Sequence, residues 1–207
     1  MKKLGQSVKE KSIAELLGER KLILASRSPR RAEILKKAKV EFEIKIPPNL
    51  KEESSSSDPA EHVLSLSKRK ATSVSNQVEE AIVLGADTIV VLDGEILGKP
   101  QNKEEAFLIL KKLSGRTHRV YTGITLVNRY NGKIISDYDS TEVKFNQLED
   151  NKIVAYINTG EPMDKAGAYG IQGMGGFLVE GIRGSLDNVI GLPTEKLKEM
   201  LIQIIQP

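Results

Sequence analysis

The stretch Ala81 to Leu92, AIVLGADTIVVL, is the most hydrophobic in the chain, and it carries one carboxylate, Asp87, in its middle. An apolar run of this kind reads as a buried central strand. The Asp93-Gly94 pair that follows reads as a hairpin turn, with Glu95 to Gly98 as the return strand. An ionised Asp inside a buried strand costs several kcal/mol unless a partner or a metal compensates it. Asp87 is therefore a candidate functional group, or else it sits at a bend and caps a neighbouring turn. Gly85, two residues earlier, allows another backbone or a ligand to approach closely.

The segment LILASRSPRRAEIL, Leu22 to Leu35, has the order strand, tight polar loop, helix start. Ser28 suits an N-cap and Pro29 the first helical position. Arg30 and Arg31 then fall in the first turn, where the helix dipole disfavours cations. Two arginines with Ser26 and Ser28 at a helix N-terminus make sense if an anion such as phosphate binds between them; the alternative is a solvated basic turn.

Val40, Phe42, Ile44 and Ile46 alternate with polar residues, as in a strand with one wet face, and Pro47-Pro48 stops it. Asn49 to Asp58, with its four serines and Glu52-Glu53, reads as a loop suited to a lid or an acidic rim, or simply as an exposed loop. Asp58-Pro59-Ala60-Glu61 opens a helix reaching about Val78, in which Lys70 lies beside the apolar stripe. Lys99 follows the return strand and comes near the strand end that carries Asp87. A helix from Asn102 to Leu113 and a long hairpin, Thr117 to Asn128 with Lys133 to Phe145 around Asn131-Gly132, come next. The remaining elements are a helix over Glu149 to Thr159, a glycine-rich stretch from Gly167 to Gly184 with Phe177 to Glu180 as a strand, and a last amphipathic helix over Thr194 to Ile205. This order implies an α/β fold whose sheet is mixed rather than purely parallel.

Composition excludes several classes. There is no cysteine, hence no disulfide or thiolate site, and the two histidines, His62 and His118, are far apart, which argues against a zinc cluster or a serine-protease-like triad. A net charge of +3 with 4% aromatic residues argues against a nucleic-acid binder. No apolar run reaches a membrane span and no signal-peptide pattern is present, so the expectation is a cytoplasmic protein. No GxxxxGK[ST] phosphate loop occurs. What remains is an anion-binding helix start, lysines Lys70 and Lys99, and carboxylates Glu52, Glu53 and Asp87. Carboxylates beside phosphate-binding cations point to a divalent metal, Mg²⁺ or Mn²⁺, bridging carboxylate and phosphate oxygens, and so to phosphoryl or nucleotidyl chemistry.

The segments LASRSPRRAEIL, LSKRKA, LGADTIVVLDGEILGKP, LSGRTHRVYTG, EPMDKAGAYGIQG and VIGLP occur in an order that closely resembles the Maf family of nucleoside triphosphate pyrophosphatases. The resemblance spans Lys21 to the C-terminus as a single domain and leaves residues 1–20 as an N-terminal extension. It implies a mixed twisted sheet flanked by helices, in two lobes with a central cleft, of the kind shared with inosine triphosphate pyrophosphatases. It also implies hydrolysis of a nucleoside triphosphate to the monophosphate and pyrophosphate with a divalent cation, and a homodimer. Carried over by motif, Asp87 is the proton acceptor and a metal ligand; Ser26, Arg30 and Arg31 contact the triphosphate; Lys70 and Lys99 are site lysines; and Glu53, or its neighbour Glu52, is a metal-binding carboxylate. Arg30, Thr88 and Gln172 resemble the branch that prefers dTTP and UTP, and an amide at Gln172 offers a donor and an acceptor to a pyrimidine edge. The family name also carries an association with inhibition of septum formation, which is the rival, regulatory reading. One departure stands out: Leu186 follows Gly184-Ser185 where the family usually has an aromatic.

Overall fold

A computed structural model of the chain describes residues 11–48 and 56–206. The long apolar run forms β3, Ile82–Leu92, at the centre of a seven-stranded mixed sheet. β1, Leu22–Ala25, lies parallel to β3 and to the short edge strand β2, Glu43–Ile44. On the other side β3 pairs antiparallel with β5, Thr117–Asn128, which leads by the expected hairpin into β6, Ile134–Phe145, and then β7, Val179–Arg183. β4, Glu95–Leu97, folds back on the end of β3. The α/β class and the mixed sheet are as the sequence implies.

Period-two alternation assigns the two faces of β3. Val83 packs against Ala71 and Val74 of α3, Pro59–Ser75, and Ile89 and Val91 pack with Val63 of the same helix. The opposite face is covered by two separate groups. Ile82, Leu84 and Ala86 join a core with α1, Ile13–Leu17, α2, Pro29–Lys37, and α7, Thr194–Ile205. Val90 and Leu92 join a second core with α4, Lys103–Leu113, and α5, Asp150–Asn158. The boundary between these two cores falls at Asp87 and Thr88.

α3 sits unusually close to the sheet. A Cβ on Gly85 would lie 2.4 Å from the Ser67 carbonyl oxygen and 2.7 Å from the Ala71 nitrogen, and one on Gly123 would lie 2.5 Å from the Val63 carbonyl. Two glycines on adjacent strands thus form a seat that only a bare backbone provides, and the Ser67 and Thr125 hydroxyls meet across it at 2.9 Å.

Several local expectations change. The alternating Val40–Ile46 segment pairs with β1 only over Glu43–Ile44, at the edge of the sheet; Ile44 and Ile46 stay exposed. The strand expected from Phe177 starts instead at Val179, after 3-10 turns that run from Gly173 to Leu178. A short helix, α6, Leu186–Ile190, has no counterpart among the sequence expectations. Just ahead of Lys21, α1 is closed by a Ser12–Glu15 capping box and buries Ile13, Leu16 and Leu17 in the first core. Leu186 opens α6 half-exposed and does not line the cleft. No helix among the described residues is long and apolar enough to cross a membrane.

Candidate active site

The strand pairing itself creates the site. β1 accompanies β3 only as far as Gly85, and β4 joins the same edge only from Val90. Ala86 to Ile89 therefore lack a lateral neighbour on that edge, and the carboxyl ends of β1 and β4 both face the gap. In open α/β sheets such a crevice at strand carboxyl ends is where ligands bind. Here it opens into a cleft of about 900 Å³. Ser26, Arg30, Arg31, Lys70, Asp87, Thr88, Lys99 and Gln172 all line it. Glu53 and Glu52 lie outside the described residues.

Asp87 points to the α3 face, where Lys70 Nζ lies 2.7 Å from its Oδ1. Both side chains are nearly buried, at 10% and 13% exposure, so the ammonium compensates the desolvated carboxylate. The helix stripe and the close seat of α3 bring the two together. Thr88, one residue on, points to the opposite face and meets the other half of the site.

At the α2 end, Ser28 holds the N-cap position but its hydroxyl makes no capping bond; instead its N–H donates to Ser26 Oγ at 3.1 Å. The first turn of α2 thus has no side-chain cap, which leaves helix N–H groups directed at the cleft end. Arg30 reaches across to Asp164 at 3.2 Å. Arg31 is buried and its guanidinium donates to Gly191 O, Ser26 Oγ and Thr88 Oγ1, at 2.9, 3.1 and 3.0 Å. It ties the first loop to β3 and to the end of α6, a bracing role that the pair of arginines in the sequence does not reveal. The Thr88 hydroxyl meets Thr122 Oγ1 at 3.0 Å, and Thr122 in turn donates to Asn188 O at 2.9 Å.

The glycine-rich stretch is wrapped around Glu161. Its carboxylate accepts the Tyr156 hydroxyl at 3.0 Å and the N–H groups of Met174 and Gly175 at 3.1 and 3.3 Å. Gln172 sits on the loop so held, on a wall shared by the cleft and a smaller cavity of about 360 Å³. Asp164 and Lys165, which also line the cleft, lie within EPMDKAGAYGIQG but carry no periodic or capping signal that singles them out.

Tyr169 forms part of the cleft wall, and its hydroxyl lies 2.8 Å from Nε2 of the buried His118, with Phe145 packed edge-on to both rings. Burial pushes the Tyr169 phenol up and lowers His118 from 6.5 to about 4. Between pH 6.5 and about 4 the unfolded chain binds a proton that the folded chain refuses. Stability therefore falls as pH drops through that window, by up to about 3 kcal/mol. Melting curves at pH 6.5 and pH 4 should show a larger drop for the wild type than for His118→Asn; equal drops would mean that His118 titrates in the fold as it does in the open chain.

For a metal, the described residues offer no group of three or more His, Asp or Glu side chains. A hard cation that arrives on phosphate oxygens needs only one or two carboxylates from the protein. Asp87, lining the cleft beside Lys70, fits that mode.

A family model described as Maf-like protein matches residues 21–204. A dTTP/UTP pyrophosphatase of Thermoanaerobacter sp. (strain X514) is 51% identical over 182 residues, covering 87% of this chain and 95% of its own. Proteins of the same description from Clostridium perfringens (strain 13 / Type A) and Thermococcus kodakarensis are each 52% identical, covering 87% and 89% of this chain and 95% and 98% of their own. A solved structure described as a HAM1 protein from Coxiella burnetii is similar at 16% identity and a TM-score of 0.48, covering 89% of this chain and 99% of that one. The family match runs from the residue before β1 into the last turn of α7 and takes in every strand and helix that borders the cleft; the chain belongs to the Maf family.

Proposed function

We propose that the protein is a nucleoside triphosphate pyrophosphatase that hydrolyses dTTP and UTP, and modified pyrimidine nucleotides with them, to the monophosphate and pyrophosphate. The observation that carries this reading is the position of Asp87: a buried carboxylate on an unpaired strand edge, lining the same cleft as an uncapped helix start, in a chain about half identical to dTTP/UTP pyrophosphatases. The triphosphate lies along the α2 N-terminus, where Ser26 and Arg30 receive it and Arg31 fixes Ser26 in place. Water attacks the α-phosphorus; a new P–O bond forms, the bond to the bridging oxygen breaks, and pyrophosphate leaves. Asp87 accepts the proton of the attacking water, and Lys70 and Lys99 stabilise charge on the transition state and the leaving group. Asp87, with Glu53 as the second carboxylate, would hold a divalent cation, Mg²⁺ or Mn²⁺, which would offset the charge of the polyphosphate. Gln172 and Thr88 meet the base. The working unit is a homodimer.

Pyrophosphate release with Mg²⁺ or Mn²⁺ across dTTP, UTP, CTP, dATP, GTP and 7-methyl-GTP tests this. Turnover of dTTP and UTP well above the others is expected. Preference for 7-methyl-GTP would keep the chemistry and sink the assignment of the base site.

A further inference from the structure

Thr88 and Thr122 are direct partners across the β3–β5 pair, and their hydroxyls lie 3.0 Å apart. A hydroxyl has one proton to give and two lone pairs. Thr122 is fully buried and spends its proton on the Asn188 carbonyl, which can only accept. The proton between the two threonines must then come from Thr88. Arg31, which can only donate, fills one Thr88 lone pair. The buried chain therefore has a single direction: Arg31 to Thr88, Thr88 to Thr122, Thr122 to the Asn188 carbonyl. One lone pair is all that the Thr88 hydroxyl has left for a molecule in the cleft.

We infer that Thr122 is a positioning residue for base selection: it locks Thr88 as an acceptor, so that the cleft takes pyrimidines with a ring N3–H, the imide of uracil and thymine, and rejects cytosine. This rests on the pyrophosphatase reading and on a base that reaches Thr88. Cytosine presents a bare N3, and two lone pairs would face each other where uracil forms a hydrogen bond. A site built around one buried hydrogen bond rejects a ligand that cannot complete it far more strongly than a pocket rejects a change of size.

The test compares kcat/KM for UTP, CTP and 3-methyl-UTP in the wild type, Thr122→Val and Thr122→Ser. In the wild type CTP and 3-methyl-UTP should both fall about 10²-fold or more below UTP. Thr122→Val keeps the shape and frees the Thr88 proton, so the UTP-to-CTP ratio should narrow by about tenfold, the worth of one buried hydrogen bond; Thr122→Ser should restore it. An unchanged ratio in Thr122→Val, with only the melting temperature lowered, overturns the inference and leaves the pyrophosphatase reading intact. Wild-type turnover of 3-methyl-UTP equal to that of UTP overturns it without reference to any variant. Absence of UTP turnover in the wild type overturns both.

Discussion

Asp87→Asn is expected to lower kcat by about 10²–10⁴-fold, the ordinary worth of a positioned general base, while the protein folds and still binds triphosphate. Asn keeps an oxygen where Oδ1 now accepts from Lys70 Nζ, so the buried lysine retains a partner. The converse substitution behaves differently. Lys70→Met leaves the Asp87 carboxylate desolvated and unpaired, and breaking one side of a buried pair costs about 3–5 kcal/mol. Single-turnover kinetics together with calorimetric binding of a non-hydrolysable α,β-methylene analogue separate the two effects. Near-wild-type turnover by Asp87→Asn would remove that carboxylate from the proton transfer.

Gly85→Ala should be among the most damaging single-methyl changes available in this chain. The added Cβ would meet backbone atoms of α3, the Ser67 carbonyl and the Ala71 nitrogen, and backbone cannot swing aside as a side-chain tip can. Overpacking of this kind costs about 1–3 kcal/mol and sometimes more; at the upper end the melting temperature of a domain this size falls by about 10 °C. The site should suffer beyond the loss of stability. Ser67 and Ala71 flank Lys70 on α3, so lifting the helix draws Lys70 away from Asp87. A folded Gly85→Ala protein is therefore expected to show reduced kcat at temperatures well below its melting point. An unaltered melting curve would show that α3 can shift on the sheet at little cost.

The parts of the fold that the sequence announces are those whose causes are local. The apolar run of β3, the Asn131-Gly132 hairpin, the Asp58 cap of α3 and the Pro29 start of α2 each depend on neighbours a few residues away. The nearness of Lys70 and Asp87 follows from a helix stripe packed on a strand. What local patterns miss depends on partners distant in the chain. Arg31 bonds the carbonyl of Gly191, 160 residues on, and Arg30 reaches Asp164 across 134; nothing in SPRR distinguishes a buried brace from a surface cation. Thr122 looks like any β-branched strand residue until its register with Thr88 is known. The alternation of Val40–Ile46 runs longer than the two-residue edge strand it forms. Glu53 and its neighbour Glu52 lie in the one internal stretch outside the described residues.

β3 and β5 run unbroken beneath both groups of helices. Ile82, Leu84 and Ala86 belong to one core and Val90 and Leu92 to the other, while Ile124 and Leu126 stand in the first and Val120 in the second. Elsewhere, enzymes with two halves often join them by a few loop residues that swing. Here the joint is a pair of continuous hydrogen-bonded girders, and Asp87 stands at midspan, matched across the ladder to Gly123. Parting the halves would mean twisting the girders themselves. The cleft is a notch cut into a beam rather than a jaw between two separately hinged parts.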